Sequence, residues 1–263
     1  MRLLLAILLL VLPVDAFAET VRFPSVAVGN SAAGPEITGW LYRPSGAGPF
    51  PAVVLAHTCG GVSAHTEAWG KLLASWGYVV LAPDSFGPRG EKTVCGRANL
   101  INATVRLADI AGAIDYLNAQ PFVQRGNIGM IGHSHGGWTV MRAVQASYGL
   151  AARGLKAAVA YYPFCQARFD GNVSVPLLIL IGDKDDWTPA ENCRRLQAAG
   201  FARPDLVQAV YYPNAYHSFD NKAAPDRTIV VADGKSHHLA DDRVGGPDAE
   251  ARTRAFFDKL LHP

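Results

Sequence analysis

The sequence predicts an α/β protein whose central, mostly parallel sheet is covered by helices on both faces. Short apolar runs rich in β-branched residues alternate along the chain with segments of helical periodicity. Several runs are apolar throughout, which is typical of parallel strands that are buried on both faces. Hydrophobic residues make up 49% of the 263 residues and charged residues 17%, enough to form a sizeable core. We therefore expect residues 19–263 to form a single domain.

The first 18 residues differ from the rest of the chain. Arg2 precedes an apolar run from Leu3 to Leu12, and a small-residue triplet, Ala16 to Ala18, follows. This order is typical of a secretory signal peptide that is cleaved after Ala18. An uncleaved membrane anchor is the alternative, but the run is too short to span about 30 Å of hydrocarbon comfortably. We therefore predict an exported protein, periplasmic or extracellular, with no membrane segment after cleavage.

The predicted strands and helices follow one another in a regular order. The predicted strands cover residues 37–42, 52–56, 78–82, 128–131, 155–162, 177–181 and 207–212. Helices are expected around 69–76, 107–117 and 256–261, where apolar residues recur at helical spacing, and also after residue 134 and at about 190–199. In such a sheet the functional site lies at the carboxyl ends of the strands.

The charge balance excludes one class of partner. The chain has 24 Lys and Arg against 22 Asp and Glu, a formal net charge of +2, with no basic run or stripe. Nucleic-acid binding is therefore not expected. A small neutral or weakly anionic substrate needs only local charge. We expect a small-molecule substrate and no cofactor, and the sequence leaves the oligomeric state open.

The segment after strand 128–131 carries the predicted nucleophile. Residues 132–136 read Gly-His-Ser-His-Gly and match G-x-S-x-G, a sharp strand-to-helix turn that exposes the serine hydroxyl. Glycine on either side lets the backbone cross without a Cβ clash. A glycine-rich turn without chemistry is the alternative. The strand before the motif and the helix after it are the context that the motif requires, so we predict Ser134 as nucleophile.

A serine hydroxyl needs an adjacent base that is itself oriented by a third group. The acidic turn 183–186 follows strand 177–181, and His217 lies in the loop after strand 207–212. Both loops are expected at the sheet edge that holds Ser134. Of the eight histidines, His217 alone combines this position with the chain order Ser, acid, His. A metal site made by His133 and His135 is disfavoured, because no acid or cysteine completes it at ligand spacing.

Several segments together resemble the dienelactone hydrolase family of α/β-hydrolases. They are His-Thr-Cys-Gly-Gly at 57–61, Ala-Pro-Asp-Ser-Phe at 82–86, Gly-His-Ser-His-Gly-Gly at 132–137, Gly-Asp-Lys-Asp-Asp-Trp-Thr-Pro at 182–189 and Ala-Tyr-His-Ser-Phe at 215–219. The resemblance runs from about residue 37 to the C-terminal helix. It implies the α/β-hydrolase fold and the hydrolysis of a carboxylic ester or lactone.

The resemblance also assigns the proposed triad. The family's acid segment has the form G-x-x-D-x-x-x-P, which places the acid on Asp185, with Asp183 and Asp186 as the alternatives. The triad histidine carries over to His217. Family members that open dienelactones resemble one another in having a cysteine nucleophile, whereas this chain has Ser134. The serine favours a broader esterase over a dienelactone substrate.

The reaction also needs N–H donors for the oxyanion. The resemblance and the motif imply the backbone N–H of His135 as one donor and that of Cys59 as the other, with Thr58 as the alternative to Cys59. Arg89 and Arg97 could bind a substrate carboxylate, with a solvated loop charge as the alternative. Aromatic side chains near the catalytic loops are expected to line the pocket, with simple packing as the alternative. These side chains are Phe86, Trp138, Trp187 and Phe219.

Export makes disulfide bonds the expected state of the four cysteines, which allow three pairings. Cys59 and Cys95 follow adjacent predicted strands, and Cys165 and Cys193 lie in or beside neighbouring loops. We favour these two bridges, although the pairing cannot be derived from sequence. No CxxC spacing indicates zinc or redox chemistry, and no metal is expected.

The sequence as a whole predicts an exported serine hydrolase that cleaves an ester or lactone through an acyl-enzyme on Ser134. An acyltransferase or peptidase with the same triad is the first alternative. A binding protein that kept the fold without the chemistry is the second, but all three triad positions hold competent residues.

Overall fold

The computed structural model describes residues 18–165 and 169–262. Residues 1–17 of the predicted signal peptide lie outside this range. The strands are β1 (Glu19–Pro24), β2 (Glu36–Tyr42), β3 (Phe50–Ala56), β4 (Val79–Pro83), β5 (Val123–His133), β6 (Leu155–Tyr161), β7 (Leu177–Gly182), β8 (Val207–Tyr212), β9 (Arg227–Val230) and β10 (Ser236–Leu239). The helices are α1 (Ala64–Ser75), α2 (Ala103–Asn118), α3 (His135–Ala143), α4 (Ala190–Ala199) and α5 (Gly245–Leu261).

The central sheet is mostly parallel, as predicted. Its strands lie in the order β1-β2-β4-β3-β5-β6-β7-β8. From β4 to β8 all neighbours are parallel, whereas β2 is antiparallel to β4 and β1 is antiparallel to β2. The inner strands β4, β6 and β7 are almost fully buried because helices cover them, which explains their continuous apolar runs.

Helices cover both faces of the sheet, as predicted. A Cβ at Gly129 of β5 would meet Phe257 and Leu261 of α5, whereas a Cβ at Gly132 would meet the backbone of Gly136 in α3. Residues three apart in a strand point to opposite faces. Helices α3 and α5 therefore pack on opposite sides of β5, which confirms the α/β-hydrolase architecture.

Two regions were not predicted from the sequence. β1 alternates exposed and buried residues and adds an antiparallel edge strand to the sheet. β9 and β10 form an antiparallel hairpin between β8 and α5. Both strands of the hairpin are short and largely polar, so they lack the apolar runs by which the buried strands were recognised.

Both favoured disulfide pairings are present. Cys59 is bonded to Cys95, and Cys165 is bonded to Cys193. The first bridge joins the loop after β3 to the loop after β4, and the second joins the loop after β6 to α4. In the described part of the chain, no helix has the length and apolar character needed to cross a bilayer.

Candidate active site

Ser134 lies at the sharp turn between β5 and α3. Its backbone has φ 56 and ψ −112, a region that non-glycine residues rarely occupy. The turn also brings backbones into close approach: a Cβ at Gly132 would meet the carbonyl oxygen of Gly136, and a Cβ at Gly136 would meet that of Ala56. The two glycines of the motif are therefore required by packing. The geometry matches the strained nucleophile elbow that the sequence predicts.

The three residues of the predicted triad form one hydrogen-bonded chain. The Nε2 of His217 lies 2.9 Å from the Oγ of Ser134, and its Nδ1 lies 2.8 Å from the Oδ2 of Asp185. All three residues are at most 6% exposed. The carboxylate can only accept, which places the ring proton on Nδ1 and leaves the Nε2 lone pair facing the hydroxyl. This arrangement can deprotonate the serine as it attacks a carbonyl.

Asp185 is the one member of the acidic turn that contacts His217. Asp183 pairs with Arg194 at 2.6 Å on the surface, and the carboxylate of Asp186 accepts the backbone N–H of His238 at 3.1 Å. The side chains of the three aspartates in this turn therefore point in different directions. The structure therefore brings Asp185, not its two neighbours, into contact with His217.

Thr188 supports the Asp185 carboxylate and was not anticipated from the sequence. The backbone N–H groups of Trp187 and Thr188 donate to Oδ1 at 2.9 and 2.8 Å. The Thr188 hydroxyl lies 2.9 Å from Oδ2 and 3.3 Å from the Nδ1 of His217. The proline four residues after the acid in the family pattern marks the start of α4, and Thr188 immediately precedes it. A hydroxyl at that position was the signal that could have identified it.

Ser134, Cys59 and His135 line one cleft of about 320 Å³. His135 begins α3, and its ring is held by the Nη1 of Arg106 and by the carbonyl oxygen of Ala98, at 2.9 and 3.1 Å. Thr58, the alternative donor residue, does not line the cleft. The structure thus brings the two predicted oxyanion segments together beside the Ser134 hydroxyl.

Two of the four predicted pocket aromatics line the cleft. Trp138 and Trp187 form part of its wall, together with Phe164, which no sequence motif indicated. The Trp187 indole stacks on the ring of His237 at 4.6 Å between centroids and also contacts His217 at 5.0 Å. The β9–β10 hairpin, through His237, therefore fixes one wall of the cleft.

The predictions for Phe86 and Phe219 need correction. Both side chains are fully buried and line no part of the cleft. Phe86 packs beneath the loops on the ring of His57, and Phe219 packs against Tyr161 and neighbouring rings. Their loops do reach the site, but the side chains point into the core because large aromatic rings gain most from burial there.

The two arginines considered as possible carboxylate ligands lie elsewhere. Arg89 is bonded to both carboxylate oxygens of Asp109 at 2.9 Å, and Arg97 pairs with Glu91 at 3.0 Å. Neither lines the cleft. Of the residues that the structure describes, Asp233 and Lys235 are the charged ones that line it; they lie in the turn between β9 and β10 and pair with each other at 3.3 Å.

A different histidine cluster lies beside the elbow. His65, His133 and Asp220 place potential ligand atoms within 4.8 Å of one another, so the acid that His133 lacks in sequence is supplied by the fold. Asp220, however, already accepts hydrogen bonds from His65, Trp69 and Tyr162 at 2.7–2.8 Å. The donors around the carboxylate satisfy it as a buried structural anion.

The chain is similar to known hydrolases over most of its length. A model of the dienelactone hydrolase family matches residues 37–255. The carboxymethylenebutenolidase of Pseudomonas putida is 26% identical over 186 residues, which cover 65% of this chain and 75% of that protein. The bis(hydroxyethyl) terephthalate hydrolase of Streptomyces coelicolor is 28% identical over 190 residues, covering 67% and 55% respectively.

Solved structures agree on the fold. A dienelactone hydrolase-like promiscuous phosphotriesterase from metagenomic libraries superimposes with a TM-score of 0.68 at 23% identity, covering 93% of this chain and 99% of that one. The acylaminoacyl peptidase of Pyrococcus horikoshii superimposes with a TM-score of 0.66 at 17% identity, covering 94% and 42%. At these identities the structures establish a shared fold and nothing finer.

Proposed function

The chain belongs to the dienelactone hydrolase family and is a hydrolase; from that premise we propose that it is an exported serine hydrolase of carboxylic esters. The observation that carries the proposal is the hydrogen-bonded chain from Ser134 through His217 to Asp185. In the proposed reaction an acyl group passes from the substrate to Ser134 and then to water.

The acylation step follows from the tautomer of His217, whose Nε2 is free to accept the serine proton. The Ser134 oxygen attacks the ester carbonyl while the Nε2 of His217 takes its proton. Asp185 stabilises the imidazolium that forms. The negative charge on the carbonyl oxygen is bound by the backbone N–H groups of Cys59 and His135. The tetrahedral intermediate then releases the alcohol, which leaves with the proton from His217, and the acyl group remains on Ser134.

Deacylation repeats these steps with water as the nucleophile. His217 takes a proton from water as the water oxygen attacks the acyl carbonyl. The second intermediate returns that proton to the Ser134 oxygen and releases the carboxylic acid. One water is consumed and one ester bond is broken per cycle. With a lactone, the released acid and alcohol stay in one molecule.

The aromatic wall of the cleft supports an apolar substrate group. Trp138, Phe164 and Trp187 offer ring faces beside the serine, and such surfaces bind flat or apolar groups through burial. The named activities of the relatives concern a butenolide lactone in one case and a terephthalate ester in another. We propose an ester substrate in preference to a dienelactone because Ser134 stands where dienelactone-opening members have cysteine.

Export is the second part of the proposal. The predicted signal peptide would direct the chain across a membrane, and two disulfide bonds are expected to persist in an oxidising compartment. Expression with residues 1–18 in a bacterial host, followed by fractionation and N-terminal sequencing, tests this. A mature protein that begins at Glu19 outside the cytoplasm supports export, and an uncleaved chain in the cytoplasm contradicts it.

Labelling and turnover test the chemistry together. A fluorophosphonate should label the mature protein at Ser134, and Ser134→Ala should abolish both labelling and p-nitrophenyl ester cleavage. Ser75→Ala, which changes an exposed serine of α1, is the matched control and should behave as wild type. Unchanged turnover in Ser134→Ala would disprove the proposal. A panel of esters, lactones, amides and acyl acceptors then separates an esterase from a peptidase or an acyltransferase.

A further inference from the structure

Arg106 is a buried cation that pairs with no carboxylate among residues 18–165 and 169–262. It lies in the first turn of α2, its side chain is 0% exposed, and its Nε and Nη2 have no hydrogen-bond partner within the described part of the chain. The nearby carboxylate of Asp109 is occupied on both oxygens by Arg89. A buried guanidinium without a counter-ion is costly, so the fold must hold it there through other contacts.

Those contacts join the two segments proposed to form the oxyanion hole. The Nη1 of Arg106 donates to the carbonyl oxygen of His57 at 2.9 Å and lies 2.9 Å from the Nδ1 of His135. His57 begins the loop that contains Cys59, and His135 follows the nucleophile. One nitrogen of one side chain therefore holds the two donor segments against each other.

The His57 ring also contacts the peptide unit that carries the Cys59 N–H donor. Its Nδ1 lies 2.8 Å from the carbonyl oxygen of Thr58, and its Nε2 accepts the backbone N–H of Ser85 at 3.2 Å. The Thr58 carbonyl and the Cys59 N–H belong to the same peptide unit. A hydrogen bond to a peptide carbonyl orients that unit and strengthens its N–H as a donor.

The charge states of Arg106 and His135 are consistent with the hydrogen bond between them. Burial lowers the pKa of Arg106 to about 9, opposed by the nearby Asp109, so the guanidinium is charged at neutral pH. Burial, with the Arg106 charge second, lowers the pKa of His135 to about 3. His135 is therefore neutral, its Nδ1 accepts from Arg106, and its Nε2–H donates to Ala98. The contact between Arg106 and His135 therefore carries a net positive charge. It lies next to the segments that contain the proposed oxyanion donors, where the reaction develops negative charge.

We infer that Arg106 is a positioning residue of the oxyanion hole, which clamps the His57–Cys59 loop to the nucleophile elbow and places a buried positive charge behind the two N–H donors. The inference rests on the proposed serine-hydrolase function. Its alternative is a purely structural clamp between α2 and the elbow. The two differ in whether binding of an oxyanion is affected more than binding of an uncharged ligand.

The experiment compares Arg106→Met, Arg106→Lys and the control Arg153→Met. Arg153 pairs with Asp115 near the far end of α2, so its replacement also removes an arginine contact from that helix. Each purified variant is assayed for kcat and KM on a p-nitrophenyl ester. It is also titrated with an alkyl trifluoromethyl ketone, which forms an oxyanion adduct with serine, and with the matching secondary alcohol, which forms none.

Arg106→Met should lower kcat and trifluoromethyl ketone affinity by about 100-fold each, close to the loss of one oxyanion donor. Its KM and alcohol affinity should stay within about 3-fold, since neither involves an oxyanion. Lysine keeps the charge but reaches one acceptor, so Arg106→Lys should lose about 10-fold in kcat and in ketone affinity. Arg153→Met should match wild type within about 2-fold, since exposed ion pairs contribute little.

Equal losses of ketone and alcohol affinity in Arg106→Met, or wild-type kcat, would overturn the inference. If Arg106→Met does not fold, Arg106→Lys decides: ketone affinity equal to wild type overturns it. Ser134→Ala separates the two proposals. Full turnover in Ser134→Ala would reject the serine-hydrolase function itself. An inactive Ser134→Ala combined with a wild-type Arg106→Met would reject only the role of Arg106.

Discussion

Two histidine–aspartate pairs with buried carboxylates lie close to Ser134, and the comparison shows what a catalytic pair requires. His217 lies 2.8 Å from Asp185, and His65 lies 2.8 Å from Asp220. Both carboxylates are at most 4% exposed. The distances and the burial of the carboxylates are therefore the same in the two pairs, although the His65 side chain is 11% exposed and that of His217 only 2%. The atoms around each pair differ, and they decide what each pair can do.

In the first pair the second imidazole nitrogen faces a hydroxyl. The Nε2 of His217 lies 2.9 Å from the Ser134 oxygen, so a proton can move when that oxygen attacks. Around Asp220 the further donors are the Trp69 indole and the Tyr162 phenol, which hold the carboxylate in place. The first pair ends in a nucleophile and the second joins parts of the core. A histidine–aspartate contact alone is thus no evidence of catalysis.

Exchanging each carboxylate for its amide should separate the two pairs most strongly. Asp185→Asn should lower kcat by about 10⁴-fold, because the amide favours the wrong imidazole tautomer. Asp220→Asn should lower the free energy of unfolding by about 1–3 kcal/mol, because buried donors lose their charged acceptor. Its kcat should fall by less than about tenfold. Ester hydrolysis and urea unfolding of both variants measure these effects. A larger kcat loss in Asp220→Asn than in Asp185→Asn would reverse our assignment of the pairs.

Acid should destabilise the protein through the histidines of the elbow. Burial lowers the pKa of His133 from 6.5 to about 3, although the charge of Asp220 opposes the shift. Between these two values the unfolded chain binds a proton that the native state excludes, so stability is lost as pH falls below about 6.5. For His133 alone the expected slope is about 1.4 kcal/mol per pH unit.

Urea unfolding of wild type and His133→Gln at pH 7, 6 and 5 measures that slope. The glutamine variant should show a shallower fall in stability, by about one proton, since the remaining buried histidines still contribute. Protonation of Asp220 should not contribute to the loss of stability between pH 7 and pH 5. Burial alone would raise its pKa, but His65 and His133 hold it below the usual range, so its contribution is lost only below roughly pH 4. Parallel curves for the two proteins would contradict the role assigned to His133.

Removing one hydrogen-bond donor from Asp185 and one from Asp220 should give the smallest effects. These variants also test whether Asp185 affects catalysis while Asp220 affects stability. Thr188→Val removes a hydroxyl 2.9 Å from Asp185 and should lower kcat about tenfold, the size of one hydrogen bond to a charged group. Trp69→Phe removes the indole donor to Asp220 and should leave kcat near wild type while the free energy of unfolding falls by about 1–2 kcal/mol. Steady-state kinetics and urea unfolding measure both. Similar kcat losses in the two variants would show that the pairs are coupled.

The sequence was most informative where a residue type and a strand end coincide. Ser134 and the Asp185 turn follow apolar strands, and parallel strands bring such loops to one edge whatever the details of packing. The structure does place these residues and His217 within hydrogen-bond distance. The same reasoning favoured the bridge between Cys59 and Cys95, which follow neighbouring strands, although the sequence left three pairings open; the structure contains that bridge.

The sequence did not predict the direction in which each side chain points. Phe86 and Trp138 are both aromatic residues near a catalytic loop, yet one is buried in the core and the other lines the cleft. Loop position in the chain does not determine which way a side chain turns; the space left by neighbouring residues does. The partner of His133 was hidden for the same reason, because Asp220 lies 87 positions away in the sequence.

The sequence by itself determined the α/β architecture, the elbow and the loops that converge on it, because hydrophobic periodicity and glycine requirements are local properties of the chain. Only the tertiary structure decided which carboxylate meets His65 and His133, which aromatics face the cleft and where the buried charge of Arg106 lies. Those outcomes depend on contacts between residues far apart in the chain, and packing selects them only once the whole core has formed.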